Sequence, residues 1–152
     1  MSRRAQIQMS DAEVDEFLSG RRTMNVASFN HDGTIHLVAM WYAMVDGDPV
    51  FWTFGKSQKI RNLQRDPRIT LLVEAGDEYA ELMGVEMVGR AEVITSHDEI
   101  MAIGEAVYVR YFGEINDEIR PFVHATGAKR FGVRVSVDRV VSWDHRKLGG
   151  GY

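Results

Sequence analysis

The chain has 152 residues, 45% of them apolar, which is enough for one hydrophobic core without disulfides or metals and argues against several domains. Its formal charge of −4 gives no global attraction to nucleic acid. The absence of cysteine excludes a disulfide scaffold, a thiolate nucleophile and Cys-ligated zinc or iron–sulfur centres.

No apolar run approaches the roughly 20 residues of a membrane span, and the basic start has no apolar stretch behind it. The expectation is a single cytoplasmic domain over 1–152, without membrane anchor or export signal. The 14 glycines are dispersed, with no repeat or low-complexity linker.

Ser10-Asp11-Ala12-Glu13 has capping-box spacing and predicts a helix to about Leu18, stopped by Gly20. Residues 23–29, 35–45 and 50–54 read as strands joined by His31-Asp32-Gly33 and Asp46-Gly47-Asp48, an antiparallel meander. Ser57 opens a helix with Ile60 and Leu63 on one side, and Asp66-Pro67 stops it. Residues 69–73 form a strand, and 79–94 form a longer one whose Gly84 and Gly89 predict bulges or bends. Ser96-His97-Asp98-Glu99 again has capping-box spacing and leads a helix to Gly113; a weaker helix follows over 116–126, with Pro121 as a start or kink. Strict alternation over Phe131, Val133, Val135 and Val137 predicts a strand, 140–143 another, and the chain closes on His145-Arg146-Lys147 and three glycines. Clustered strands with short helices at the connections indicate an α+β fold. The expected architecture is a six- to seven-stranded antiparallel split β-barrel.

Gly55-Lys56-Ser57 imitates the end of a Walker phosphate loop, but the first glycine of that motif would fall at Val50, which excludes it. What survives is a strand ending at Phe54, a glycine turn and a helix start with free amides, the local geometry of an anion site. From 56 to 68, Lys56, Lys59, Arg61, Arg65 and Arg68 stand against Asp66 alone, so this segment opposes the sign of the whole chain. Lys56, Lys59 and Asn62 follow at helical spacing and share a face. An anion site and a solvated basic face satisfy the spacing equally.

The five histidines lack paired metal-ligand spacing, the acids over 74–99 read as a solvated rim, and no serine sits in G-x-S-x-G. No catalytic side chain is identified. That pattern suits chemistry performed by a bound ring, for which the protein supplies position, polarity and water exclusion. Leu37 to Trp41 and Trp52-Thr53-Phe54 offer an apolar wall beside the basic helix start, although each residue taken singly also suits core packing.

The run Trp52-Thr53-Phe54-Gly55-Lys56-Ser57-Gln58-Lys59-Ile60-Arg61-Asn62-Leu63-Gln64-Arg65-Asp66-Pro67-Arg68 resembles the strand, phosphate turn and helix of the flavin- or deazaflavin-binding split β-barrel family, the pyridoxamine phosphate oxidase-like group. The resemblance covers nearly the full length. Tyr79-Ala80-Glu81-Leu82 with Gly84 and Gly89-Arg90-Ala91-Glu92 is similar to its long bent strand, and Ser142 to Gly150 to the tail of its deazaflavin branch.

The resemblance implies a homodimer with cofactor grooves between subunits. Lys59 would hold the cofactor phosphate, assisted by Lys56, Ser57 and Asn62. Val38, Ala39, Met40 and Trp41 would line the ring, and Thr53 with Phe54 would close its edge. Trp143, His145 and Lys147 from the partner's tail would complete the groove. No second basic cluster matches the one that receives pyridoxal phosphate in the family's oxidases, which puts that activity in doubt. The tail and the extended basic helix, suited to a polyglutamate chain, favour coenzyme F420 over FMN. The implied activity is hydride transfer from reduced deazaflavin to an activated double bond, quinone or nitro compound. An FMN oxidoreductase and a non-catalytic F420 carrier are the alternatives.

Overall fold

The computed structural model describes residues 1–150; Gly151, the last of the tail glycines, and Tyr152 lie outside the described residues. Seven strands, β1 (Met24–Phe29), β2 (Ile35–Met40), β3 (Ala43–Val45), β4 (Asp48–Phe54), β5 (Arg68–Ala75), β6 (Met83–Ile94) and β7 (Arg130–Asp144), form one antiparallel sheet ordered β2-β1-β5-β6-β7-β4-β3. Among the described residues are five α-helices: α1 (Arg3–Ile7) and α2 (Asp11–Ser19) precede the strands, and α3 (Gln58–Arg65), α4 (His97–Phe112) and α5 (Arg120–Thr126) fall between them. The expected α+β architecture of strands with short connecting helices is what the chain adopts.

The curl of the sheet follows from its connectivity. β2 and β3 are opposite edges of the sheet, yet only Trp41 and Tyr42 join them. Seven strands laid flat would span about 29 Å at the usual ~4.8 Å spacing, far beyond the reach of two residues. The sheet therefore rolls until its edges approach, and because those edges do not pair, the barrel stays split. The inward faces build one core, with Val26, Leu71, Val85, Val133, Val135 and Phe51 fully buried. A second cluster, including Val50, Ile94, Ile103 and Val107, packs α4 on the outside of β3, β4 and β7.

Several boundaries differ from the sequence expectation. The segment 35–45 is two strands, because Tyr42 turns inward, becomes fully buried and donates its hydroxyl to the Leu18 carbonyl at 2.8 Å. That burial pushes the phenol up to about 12. Conversely, 131–137 and 140–143 are one strand, since Asp138-Arg139 lies opposite a register shift at Val88/Gly89 and does not turn the chain. The extra residue of this bulge is Asp138 on β7, and Gly89 lies opposite it on β6, where an added Cβ would meet the Ser136 carbonyl oxygen at 2.1 Å. Gly84 is no bulge: its register is regular, and the missing Cβ makes room for the Trp143 ring, 2.1 Å from where that atom would stand.

Tyr79 belongs to a short 3₁₀ turn before β6. The first capping box forms, with Ser10 and Glu13 bonding each other's amides, whereas Ser96 makes no side-chain cap. The weak helix is confined to α5, with Pro121 in its first turn. α1, capped by Ser2, has no counterpart in the sequence expectation. Among the described residues no helix is long and apolar enough to cross a membrane.

Candidate functional site

β4 ends at Phe54 and the chain turns through Gly55 into α3, whose N-cap is Ser57. The Ser57 hydroxyl accepts from the Ile60 amide at 3.4 Å. The Gln58 and Lys59 amides have no acceptor among the described residues and project from the positive end of the helix. A Cβ at Gly55 would press on the Phe131 ring at 3.3 Å, so glycine gives this close approach the room it needs.

Lys59 folds back and donates to Thr53 Oγ1 at 3.0 Å, which fixes the ammonium against β4. Burial, reinforced by Arg130, holds its pKa below the usual lysine range. A cation desolvated beside another cation gains when an anion joins it.

The site contains two residues that sequence reasoning missed. Arg130 opens β7, opposite Phe54 in the register, and its guanidinium lies over the rings of Phe54 and Trp52 at 4.7 and 5.3 Å. Its Nε donates to the Thr126 carbonyl at 3.1 Å, while burial lowers its pKa. The only sequence signal was the pair Lys129-Arg130 before an alternating strand. Arg130, Lys129, Lys56 and Ser57 share a cleft of about 750 Å³ with Phe54 and Phe131. The other missed residue is His36, half-buried on β2 opposite Ser28, with a buried Nδ1 that has no partner among the described residues.

Burial and the nearby Lys59 charge hold the His36 pKa below 6.5, so the folded protein binds this proton less readily than the unfolded chain. The stability His36 contributes is therefore present above about pH 6.5 and is lost as the pH falls through the depressed folded value. We expect the urea midpoint of the ligand-free protein to fall over that interval, and His36→Gln to flatten the fall. Parallel profiles for the two proteins would contradict this assignment.

The remaining predicted residues fall into three groups. Val38 and Met40 face inward and pack against the core, Ala39 faces out, and Trp41 lies on the link between sheet edges, 47% exposed. Because β2 is an edge strand, one side of its backbone has no strand partner and can meet a ring's polar edge. Thr53 and Phe54 point to opposite faces of β4, Thr53 inward to Lys59 and Phe54 outward to Arg130.

Asn62 is fully buried and spends its amide inside the fold, on Ser28, Asn30, Gln58 and Arg65. Arg65 also bonds the Phe29 carbonyl, and Arg68 pairs with Asp66, holding that carboxyl at about 2. The basic run is thus divided: Lys56 lines the cleft and Lys59 is held at Thr53, while Arg65 and Arg68 serve the fold.

Trp143, His145 and Lys147 lie at the far end of β7 from Arg130, about 45 Å along the strand contour. Trp143 covers Gly84, His145 Nδ1 lies 2.8 Å from the Tyr79 carbonyl, and Lys147 bonds Gln8 and Glu13. One chain does not bring this tail to its own Lys59. Among the described residues no His, Asp and Glu side chains gather as a metal site.

Comparison with known proteins bears on this arrangement. The chain is 44% identical to the conserved hypothetical protein Rv2991 from Mycobacterium tuberculosis, whose crystal structure superposes with a TM-score of 0.93 over 100% of this chain and 95% of that one. An F420 reductase superposes at 0.63, with 23% identity over 83% of this chain and 94% of that one. HutZ, the heme storage protein from Vibrio cholerae, superposes at 0.68, with 14% identity over 87% and 94%. At these lower identities the likeness is one of fold alone. Among curated proteins no sequence matches. The profile of the pyridoxamine 5'-phosphate oxidase family matches residues 10–144. The chain, with its split antiparallel barrel, therefore belongs to the pyridoxamine 5'-phosphate oxidase family, which includes oxidoreductases and binds flavin-type cofactors.

Proposed function

We propose that the protein is a coenzyme F420-dependent reductase, acting as a homodimer, that transfers hydride from reduced deazaflavin to an activated small organic substrate. The observation that carries this reading is the juxtaposition of desolvated Lys59 with Arg130, Lys56 and the free amides of α3, next to a wall of aromatic side chains. The fit is chemical: a phosphodiester meets amides and two or three cations, and a flat ring meets Trp41, Met40 and the open edge of β2.

Lys59, held by Thr53, would bind the phosphate, with Lys56 and the Ser57 turn beside it. Val38, Ala39, Met40 and Trp41 would position the ring, and Thr53 and Phe54 would bound it on the two faces of β4. When bound, the deazaflavin supplies a hydride from its ring carbon; the protein contributes orientation and exclusion of water. Lys56, Lys129 and Arg130 continue the positive surface along which a polyglutamate chain would lie.

A second copy is supported by Ile35, Leu37 and Val140, exposed by 54%, 64% and 47%, which a lone protomer leaves in water. It would bring the partner's tail toward the groove. The experiment that tests the reductase reading follows oxidation of reduced F420 against a panel of enones, quinones and nitroaromatics. Multiple turnovers with at least one acceptor are expected. Binding of F420 without turnover on any acceptor would instead assign a carrier.

A further inference from the structure

Outside the barrel, beyond the phosphate cleft, a second cavity of about 480 Å³ lies between β4, α4 and α5. Trp52 is part of its lining. Two glycines, one in α4 and one after α5, make room for the indole: a Cβ on Gly104 would stand 2.2 Å from it, and one on Gly127 would stand 2.7 Å away. The rim is aromatic. Trp41 is fixed by stacking on Tyr111 at 4.3 Å and 10°, and Phe112 meets it edge-on at 5.5 Å. Phe112 and Phe122 are nevertheless 61% and 71% exposed. Phe112 is held by Trp41 and Tyr108 yet left in water, and exposed rings of this kind are poor core but good walls for a flat ligand.

A single charged side chain lines this cavity, and it is Arg130. Its Nε is taken by Thr126, but the terminal amino groups have no acceptor among the described residues. The same guanidinium borders the cleft that holds Lys56 and Ser57, so a molecule in the aromatic cavity lies next to the proposed cofactor groove.

We propose that this cavity binds a planar, ring-bearing organic anion. The ring would lie among the aromatic side chains of Trp41, Trp52 and Phe112, with one carboxylate on the terminal nitrogens of Arg130. The volume falls within the range of small-molecule sites, and a planar guanidinium fork suits a carboxylate. That such a molecule is the hydride acceptor rests on the reductase reading; that it binds here does not. As acceptor it would gain hydride from reduced deazaflavin and one proton from solvent across a single conjugated double bond. Two electrons are thereby transferred, with no further co-reactant.

The test uses 2-naphthoate and its neutral analogue 2-naphthalenemethanol on the full-length protein without cofactor, following the indole N–H resonances. Trp41 and Trp52 should shift saturably with naphthoate, while Trp143, at the other end of β7, stays still and reports an intact fold. Naphthoate should bind at least tenfold tighter than the alcohol, and Arg130→Gln should remove that difference. Trp41→Ala should weaken both probes. Equal affinity for the two probes, shifts that include Trp143, or no saturation would overturn the proposal. Repeating the titration with F420 present separates the two readings. A ternary complex supports an acceptor site, whereas displacement of F420 by naphthoate would mean that the cavity belongs to the cofactor. Failure of F420 to bind leaves the naphthoate result intact and removes only its assignment as acceptor.

Discussion

Lys59→Ala should weaken F420 binding by between ten- and a hundredfold, measured by titration of the deazaflavin fluorescence. The magnitude follows from a hydrogen bond to a charged group, roughly 1.5–3 kcal/mol. The lower bound holds because the ammonium is already positioned by Thr53 and partly stripped of water before the anion arrives. Arg130→Gln should add a further loss, with less than full additivity, since the Arg130 charge lowers the tendency of Lys59 to stay charged when no anion is present. A pH series gives the sign. Lys59 begins to lose its proton below the usual lysine range, so affinity should decline on the alkaline side earlier than for an ordinary lysine, and the decline should vanish in Lys59→Ala. An unchanged affinity in Lys59→Ala would remove this residue from the site.

Asn62→Ala should lower the stability of the ligand-free protein by about 2–3 kcal/mol, a fall of about 5–10 °C in Tm for a domain of this size. The reason is local. The Asn62 side chain donates to Ser28 Oγ at 3.1 Å and to Asn30 Oδ1 at 3.0 Å, and accepts from Gln58 and Arg65 at 2.8 and 3.1 Å. Ser28 is itself buried, so truncation strands a hydroxyl and frees the brace between α3 and β1. A residue that only touched the cofactor would show no such cost. Thermal melts of the apo protein separate the two roles, and an unchanged Tm would contradict the brace.

The strand and helix segments were legible where local chemistry decides them. Ser10 and Glu13 announced α2, Pro67 ended α3, and the glycine turns at 33 and 47 delimited the hairpins. Readings failed where a distant partner decides. Nothing near Trp41-Tyr42 breaks a strand; the break comes from the buried seat for Tyr42 against Leu18 and from closure of the barrel. The break expected between Val137 and Val140 is a bulge instead: Asp138 is an extra residue on β7, and only the pairing with Val88 and Gly89 on β6 reveals that the strand continues through it.

The site divides in the same way. The α3 start was readable as one contiguous run, but Arg130 reaches it only through the pairing of β7 with β4. Helical spacing put Lys59 and Asn62 on one face without revealing that this face turns toward the sheet, where one residue meets Thr53 and the other disappears into a buried network.

The central claim is that the cation cluster at α3 and β7 selects a deazaflavin phosphate. The most direct measurement is a side-by-side equilibrium titration of the purified protein with F420, FMN and heme, with Lys59→Ala as control. The account predicts saturable F420 binding, tighter than FMN, weakened at least tenfold by Lys59→Ala, with heme binding unaffected by that substitution or absent. Tight FMN or heme retention with no saturable F420 binding would contradict it.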